Sequence, residues 1–281
     1  MLNLIKMDLH RLFRIKPFRI MILTTLILTV FGTYMTYFGS TNYEPIVSSN
    51  NMALEASDIQ IGFGVMIKPE WAHKVNFSEL FNSNIQGNML AILCAIFTVI
   101  FVNGDQKNGY IKNIAGQFSN KGMLVLSKLV AVAVQLLVIF IVYSVTSALI
   151  GKICWGDKLV FDAVSDFVKL FSMQYFLHFS FASLISAFTI ILKSGSLAMT
   201  FGIFSAAGIT SIFHSLIDIL LHKCNVSKEF SISNYFIEKC IKTFSINLNS
   251  DDFTRIVIVG IGIFIASTFA SMLIMQKRDI R

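Results

Sequence analysis

The sequence is poor in charge, since only 14% of its 281 residues are Asp, Glu, Lys or Arg. A soluble domain usually has about a quarter of its residues charged, because most of its surface faces water. With 55% hydrophobic residues and a mean hydropathy of +0.70, a water-soluble fold would expose too much apolar surface. Proline is also scarce, with three residues in the chain. These scarcities and the long apolar runs predict an all-α protein embedded in a bilayer.

The four cysteines form no CxxC pair and no Cys/His spacing that is typical of zinc sites. Cys94 lies in an apolar run, whereas Cys154, Cys224 and Cys240 lie in polar connections, so the simplest interpretation is four free thiols. A Cys224–Cys240 disulfide is the alternative if these connections are exported. No basic stretch interleaved with aromatic residues lies outside the apolar runs, which argues against nucleic-acid binding.

Six apolar runs are long enough to cross about 30 Å of hydrocarbon, which takes about 20 helical residues. They cover residues 18–38, 85–102, 123–150, 167–192, 197–221 and 254–275. Apolar residues also recur at helical spacing before the first run: Leu2, Ile5, Leu9, Leu12 and Phe13. Residues 1–17 are therefore predicted to form a basic amphipathic helix in the headgroup layer. The first run is too long for a signal peptide and lacks a small-residue cleavage site.

Basic residues next to the runs indicate the orientation of the chain. With the N-terminus inside, thirteen of the 23 basic residues lie on the cytoplasmic side, together with only three acidic residues. Both termini are therefore predicted to be cytoplasmic, in a single transmembrane domain that covers residues 1–281. The predicted extracellular connections are residues 39–84, 151–166 and 222–252. Alternation of period two at residues 59–65 predicts a short strand, and hence a small ordered extracellular cap.

Residues 103–122 form the only sizeable cytoplasmic loop of this arrangement. Gly104 and Gly109 frame a stretch that resembles the start of a phosphate-binding loop. Tyr110 and Ile111, however, stand where such a loop needs Lys and Ser or Thr. Without that lysine no side chain balances the negative charge of the phosphates, so this stretch is not a nucleotide site. If ATP powers transport, the ATPase is a separate polypeptide. No His/Glu, Ser/His or Asp/Asp arrangement suits an intramembrane protease, so the chain is predicted not to be an enzyme.

His214, Asp218 and His222 are four residues apart, so a helix places them on one face, as in a metal site or proton relay. The alternative is a polar stripe at the outer interface, hydrogen-bonded to the next loop. Asp218 is the only acid near an apolar core, which argues against a proton- or sodium-driven transporter. His178, alone in the fourth run, is expected to make a helix–helix hydrogen bond.

Small residues cluster in two runs and let helix backbones approach closely, within one subunit or between subunits. They are Ala206, Ala207 and Gly208 in the fifth run, and Gly260, Gly262, Ala266 and Ala270 in the sixth. Most of the 27 phenylalanines are expected to face lipid or to pack between helices.

One stretch of the cytoplasmic loop carries a resemblance to a known family. It is Asn103-Gly-Asp-Gln-Lys-Asn-Gly-Tyr-Ile-Lys-Asn-Ile, followed by Ser119-Asn-Lys-Gly and Leu126-Ser-Lys-Leu. The stretch resembles the type 2 ABC permease family, and most of all the bacterial branch that handles lantibiotics, bacteriocins and amphipathic toxins such as phenol-soluble modulins. The layout of the whole chain is similar, while the motif covers about residues 103–129. Asp105 stands where many relatives have Glu.

The resemblance implies that residues 105–121 hold a coupling helix that docks in a groove of a cytoplasmic ATPase. The residues it assigns to this contact are Asp105, Lys107, Asn108, Gly109, Tyr110, Ile111, Lys112 and Asn113. It also implies two ATPase subunits, which hold ATP and Mg²⁺, and a second permease, identical or homologous. The path would lie at the permease–permease interface, and reentrant helices would fall within residues 216–252. No cofactor is expected in this chain itself.

The sequence thus predicts the permease subunit of an ATP-driven exporter in a bacterial cytoplasmic membrane. Its cargo would be an amphipathic or antimicrobial peptide, moved for toxin export or self-immunity. The alternative is an ion-coupled secondary transporter or a channel that acts without an ATPase. Such a protein would be driven by an ion gradient alone, and Asp218→Asn would abolish its transport.

Overall fold

The computed structural model describes residues 1–42, 68–107, 121–224, 231–246 and 248–277. Its helices, numbered as described, are α1 (Leu2–Arg14), α2 (Lys16–Thr41), α3 (Phe77–Gln86), α4 (Met89–Lys107), α5 (Gly122–Trp155), α6 (Val164–Leu192), α7 (Gly195–Ala206), α8 (Thr210–Lys223), α9 (Ile237–Thr243) and α10 (Ser250–Lys277). Two short strands, β1 (Val75–Asn76) and β2 (Leu159–Val160), pair in parallel. Three single 3₁₀ turns complete the fold: Pro69–Ala72, Gly156–Lys158 and Ile232–Tyr235.

Four single helices, α2, α5, α6 and α10, are long and apolar enough to cross a membrane. Two bent pairs also pass this test of length and composition, α3 with α4 at 55° and α7 with α8 at 67°. The described residues therefore contain four to six membrane spans, which confirms the predicted multi-pass, all-α membrane protein. The side of the membrane that each end faces stays a prediction.

The bundle has two different ends. At one end, which we call the N-terminal end, Leu4 of α1 and Met275 of α10 belong to the same buried cluster. At the opposite end, which we call the cap end, Trp71 and Trp155 belong to a separate cluster. The cap consists of residues 68–86, 155–163 and 231–246. The beginning and the end of the described chain therefore meet at the N-terminal end.

The cap is joined by hydrogen bonds between segments that are distant in sequence. Val75 pairs with Leu159 in the two strands, and Trp155 Nε1 donates to the carbonyl oxygen of Trp71 at 2.8 Å. The strand predicted at residues 59–65 lies outside the described residues. An ordered cap with short strands is present, and it lies almost wholly within the three predicted connections, residues 39–84, 151–166 and 222–252. Its described strands are at residues 75–76 and 159–160.

The inward face of α2 is polar rather than apolar. Its buried residues recur every three or four positions and include Thr25, Thr29, Thr33, Thr36 and Ser40. The Thr25 and Thr29 hydroxyls donate to carbonyl oxygens one turn earlier in the same helix, at 2.8 and 2.7 Å. Because these hydroxyls are satisfied within α2, they are buried without needing a partner on a neighbouring helix. Phe31 and Phe38 lie on exposed positions of the same helix, as a lipid-facing side requires.

The second predicted span, residues 85–102, is not one helix. Ile85 belongs to α3, and α4 begins at Met89 after a break at Gly87 and Asn88. Asn88 has a φ of 67°, a left-handed conformation that asparagine tolerates better than most residues. The prediction was wrong here because it included Ile85 in the span, although the polar residues Gln86 and Asn88 interrupt the apolar run directly after it.

The fifth predicted span, residues 197–221, is also broken. Gly208 has a φ of 81°, and its N–H donates to the carbonyl oxygen of Ser205 at 3.0 Å. The N–H of Ile209 donates to the carbonyl oxygen of Phe204, also at 3.0 Å. These two bonds form a Schellman motif, in which a left-handed glycine ends a helix. Gly208, which was predicted to bring helices together, thus ends α7 instead. The break lies before residues 216–252, where reentrant helices were predicted.

Close helix contacts occur at Gly202, which the sequence analysis did not single out, and at some but not all of the predicted small residues. A Cβ built on Gly202 of α7 would lie 2.9 Å from the Cβ of Ala95 in α4. A Cβ on Gly260 of α10 would lie 2.7 Å from the ring of Phe176 in α6. A Cβ on Gly262 would meet nothing within 4 Å. Close packing within the subunit therefore holds at Gly260, whereas Gly262 faces outward.

Gly202→Leu is expected to lower the melting temperature of the purified protein. The neighbouring Cβ leaves no room for a side chain, and overpacking costs about 1–3 kcal/mol. Gly262→Leu is the matched control, since the same change there meets open space, and its melting temperature should stay close to that of the wild type. Thermal unfolding in detergent, followed by tryptophan fluorescence, measures both. Equal losses in the two variants would contradict the close α4–α7 contact.

Candidate functional site

The first helix, α1, lies against the start of α5 at the N-terminal end. Its buried residues are Leu4, Asp8 and Leu12, which share one face because they are four residues apart. The predicted apolar face is only partly correct, since Leu2 and Phe13 are 71% and 48% exposed. The helix therefore has one face against the bundle and exposed apolar residues elsewhere, as suits a helix in the headgroup layer.

A carboxylate lies in the middle of the buried face of α1. Asp8 is only 3% exposed, and Ser127 Oγ of α5 donates to its Oδ2 at 2.7 Å. Lys128 is also buried and interacts electrostatically with Asp8. Opposite charges tolerate burial when they are paired, and removing one of them leaves the other strongly unfavourable. The hydrogen bond from Ser127 therefore joins α1 to α5, and the nearby charge of Lys128 offsets part of the cost of burying the carboxylate.

One aromatic ring brings a third helix into the same contact. The guanidinium carbon of Arg11 lies 5.1 Å from the ring centroid of Phe101 in α4, and Lys128 Nζ lies 5.8 Å from it. The face of an aromatic ring attracts cations at these distances. We call this group the Asp8 cluster: Asp8, Arg11, Phe101, Ser127 and Lys128. It joins α1 to α4 and α5, the two helices that flank the predicted coupling loop.

The last part of α4 also contacts the turn between α6 and α7. Lys193 has a φ of 54° and Ser194 Oγ accepts from the N–H of Leu197 at 3.4 Å, so the chain turns within two residues between α6 and α7. A Cβ on Gly195 would collide with the side chain of Asn103 in α4. A displacement at this end of α4 therefore also reaches α7, the first half of the broken span.

The residues assigned to the ATPase contact are only partly within the described structure. Asp105 and Lys107 belong to the last turn of α4. The other assigned residues lie outside the described residues: Asn108, Gly109, Tyr110, Ile111, Lys112 and Asn113. Sequence reasoning noted Ser127 and Lys128 as part of a motif and missed their contact with Asp8. The spacing of Leu4, Asp8 and Leu12 was the available signal, since it places the acid between two apolar residues of one face.

Asp8→Ala is expected to release α1 from the bundle. The change removes the carboxylate that accepts from Ser127 and that offsets the charge of the buried Lys128, which costs about 1.5–3 kcal/mol. Limited trypsin digestion should then cut within α1 faster than in the wild type, and the melting temperature should fall. Lys6→Ala, on an exposed position of the same helix, serves as the control and should leave the melting temperature unchanged. A melting temperature of Asp8→Ala equal to that of the wild type would refute the assignment.

The polar stripe predicted on α8 separates into two contacts, of which the first surrounds His214. This side chain is 6% exposed and stacks on the ring of Phe236 with centroids 3.6 Å apart. Its Nε2 lies 4.0 Å from Oε1 of Glu238, and Thr210 Oγ1 donates to the same Oε1 at 2.8 Å. Sequence reasoning missed Glu238 because it belongs to a connection whose path back to α8 is not encoded in residue spacing.

The second contact of the stripe is made by Asp218. Its Oδ2 accepts from Ser231 Oγ at 2.6 Å, and its Oδ1 accepts from the N–H of Ile232 at 2.7 Å. These bonds fit the structural alternative, a polar stripe hydrogen-bonded to the following connection. The side chain of His222 lies outside the described part of the structure. Within that part, no group of three or more His, Cys, Asp or Glu side chains is placed to hold a metal ion.

His178 bonds within its own helix, so the expected helix–helix hydrogen bond is wrong. Its Nδ1 lies 2.8 Å from the carbonyl oxygen of Gln174. A carbonyl oxygen only accepts hydrogen bonds, so Nδ1 has to carry the proton. In this tautomer Nε2 is the ring nitrogen that is able to accept a hydrogen bond. The ring packs edge-on against Phe140, with centroids 5.1 Å apart. These contacts describe a packed side chain in the middle of α6.

All four cysteines are free thiols in the structure, as the simplest interpretation of the sequence expected. Cys224 at the end of α8 is exposed, whereas Cys240 in α9 is buried. Burial raises the pKa of the Cys240 thiol to about 12. Since the thiolate is the reactive species, the two cysteines should differ strongly in reactivity.

At pH 7.5 a water-soluble maleimide is expected to modify Cys224 and to leave Cys240 unmodified. Peptide mass spectrometry after a short exposure measures both sites, and Cys224→Ser removes the expected adduct. Raising the pH to 9 should still leave Cys240 unmodified, because its pKa lies far above that pH. A Cys224–Cys240 disulfide in a non-reducing peptide map would contradict this assignment.

No protein-family model matches the sequence, and no curated protein matches it significantly. Neither comparison therefore assigns the chain to a family. The resemblance of residues 103–129 to type 2 ABC permeases stays a prediction, and the function has to be inferred from the residues and contacts of the chain itself.

Proposed function

We propose that this chain is the permease subunit of an ATP-driven ABC exporter and that ATP is hydrolysed by a separate cytoplasmic ATPase. The observation that carries the proposal is the Asp8 cluster. It ties α1, α4 and α5 together at the N-terminal end, beside the predicted coupling loop at residues 103–122. A force on that loop would act on both flanking spans through one junction.

The position of α4 supports this role. Leu90, Ala95 and Phe101 are each at most 1% exposed, and the helix packs against α2, α6 and α7. A helix that is buried on most sides is the centre of its bundle rather than a peripheral span. Because packed interiors have little free volume, moving such a helix displaces its neighbours. Movement at the coupling loop is thereby proposed to spread through the subunit.

The proposed cargo is an amphipathic or antimicrobial peptide, exported as a toxin or cleared from the membrane for self-protection. This part rests on the resemblance of residues 103–129 to the peptide-handling branch of the family. The proposed assembly contains two permeases and two ATPase subunits in a bacterial cytoplasmic membrane, with the path between the permeases. The outward position of Gly262 on α10 leaves a smooth apolar surface that suits lipid or a second permease.

The alternative, an ion-coupled carrier, would need titratable groups that are free to change partners. Both carboxylate oxygens of Asp218 accept hydrogen bonds from Ser231 and Ile232. Glu238 accepts from Thr210. These bonds fix the position of the connection after α8 and give both acids a structural role near the cap.

Affinity purification of the tagged chain from its native membrane tests the assembly. An ATPase with a phosphate-binding loop lysine is expected to co-purify in equimolar amount. In proteoliposomes, hydrolysis should require that ATPase, and an amphipathic peptide should be transported only with ATP present. Transport driven by an ion gradient alone, and lost in Asp218→Asn, would establish the ion-coupled alternative instead.

Replacing residues 110–114 with glycine and serine is expected to abolish peptide transport while the melting temperature stays unchanged, because the replaced segment is predicted to contact the ATPase. The wild-type chain and Lys6→Ala serve as controls with normal transport. Full transport by the replaced variant would refute the coupling-loop assignment.

A further inference from the structure

The cap contains a cavity of about 380 Å³ to which the function proposed above assigns no role. Its walls come from residues 68–86, from the start of α6, and from the connection after α9. Ligand pockets range from about 300 to 1,000 Å³. This cavity is therefore large enough for one or two side chains of a ligand rather than for a whole peptide.

The charges that line the cavity favour a cation. Glu79, Asp162 and Asp166 lie in the wall, against the single lysine Lys68. Asp162 is fixed there, since its Oδ2 accepts from the N–H of Ser78 at 2.8 Å, in the first turn of α3. A cleft lined mainly by one sign of charge attracts ligands of the opposite sign. The cavity should therefore repel phosphates and carboxylates.

The ammonium group of Lys68 indicates which kind of cation the cavity suits. Lys68 Nζ lies 3.4 Å from Oε2 of Glu79 and 5.4 Å from the ring centroid of Trp71. Trp71 Nε1 donates to the same Oε2 at 3.2 Å, which holds the carboxylate beside the ring. A carboxylate next to an aromatic face is suited to ammonium recognition. The Lys68 side chain is 44% exposed, so its ammonium is able to move into water at little cost.

A buried hydroxyl in the wall is an independent indication of a ligand. Ser78 is 3% exposed, and its Oγ has no hydrogen-bond partner within the described structure. Leaving a buried hydroxyl without a partner is unfavourable, so native proteins rarely do so. An ammonium group has three N–H donors. A bound ammonium could therefore donate to this hydroxyl as well as to a carboxylate.

We propose that the cavity binds the primary ammonium group of a lysine side chain on a cationic peptide, and that Lys68 is its built-in competitor. The incoming ammonium takes the place of Lys68 beside Glu79 and Trp71, and Asp162 adds to the attraction, whereas Asp166 is offset by Lys169 at 3.8 Å. The peptide as the source of the ammonium rests on the proposed function, whereas the ammonium chemistry rests on the cavity alone.

Binding is measured with the purified full-length chain in phosphatidylcholine nanodiscs, which carry no net lipid charge. The probe is fluorescent acetyl-Lys-Lys-Lys-amide, with the matching glutamine tripeptide as its control. The lysine tripeptide should bind and the glutamine tripeptide should not. Lys68→Gln should tighten binding because the competitor is removed. Glu79→Gln should weaken it by about fivefold, as the loss of one half-exposed ion pair implies.

Two control variants make the same charge changes outside the cavity. Lys74→Gln and Glu70→Gln replace exposed residues of the cap, and neither should change the affinity. If Glu70→Gln weakens binding as much as Glu79→Gln, the attraction is a diffuse surface charge and the proposal is overturned. Equal binding of both tripeptides, or no effect of Lys68→Gln, also overturns it. Equally strong binding of spermidine would assign the cavity to a small polyamine and reject the peptide.

The experiment is independent of the ATPase. If the tripeptide fails to bind while an ATPase co-purifies and drives transport, the cavity assignment is wrong and the proposed function stands. If the tripeptide binds as expected and no ATPase is found, the cavity assignment stands and the proposed function is wrong.

Discussion

Polar side chains buried in the spans have to find partners inside the protein, because hydrocarbon offers none. The chain meets this constraint in two ways. Thr25 and Thr29 of α2 return their hydroxyls to their own helix, whereas Thr33 and Thr36 also bond with Asn84 of α3. Elsewhere the bonds cross between elements: Ser127 donates to Asp8, and Gln174 Nε2 in α6 donates to Asn82 Oδ1 in α3 at 2.9 Å. These crossing bonds fix the short elements, α1 and the cap, onto the long helices.

The two ends of the bundle differ in what holds them. At the N-terminal end, a hydrogen bond to Asp8 and two cations beside one aromatic ring join the helices. The cap combines the neutral bond between Trp155 and Trp71 with the ion pair of Lys68 and Glu79. The central helix α4 reaches from one end to the other, since Phe101 belongs to the Asp8 cluster and Met89 follows directly on the cap helix α3. The helix α4 is therefore a direct structural link between the two ends of the bundle.

Hydropathy located the long helices correctly, because about 20 apolar residues dominate any window that covers them. The break at Gly208 was missed, since a left-handed glycine redirects the backbone without changing the hydropathy of the run. The break at Asn88 was missed although Gln86 and Asn88 form a short polar interruption there. Asp8 was missed because an amphipathic pattern assigns every charged residue to the water-facing side. Glu238 was missed for a different reason: its approach to His214 depends on how the connection after α8 folds back, and no residue spacing specifies that path.

The break at Gly208 also constrains how the nascent chain enters a membrane. The segment before it, α7, has 12 residues, and at about 1.5 Å per residue it rises about 18 Å, well short of about 30 Å of hydrocarbon. Such a segment is too short to settle across a bilayer as it leaves the ribosome. It reaches the length of a span only together with α8, with which it forms one of the two bent pairs. Synthesis and insertion, which proceed together for a long helix such as α5, are therefore separated in time at this point of the chain.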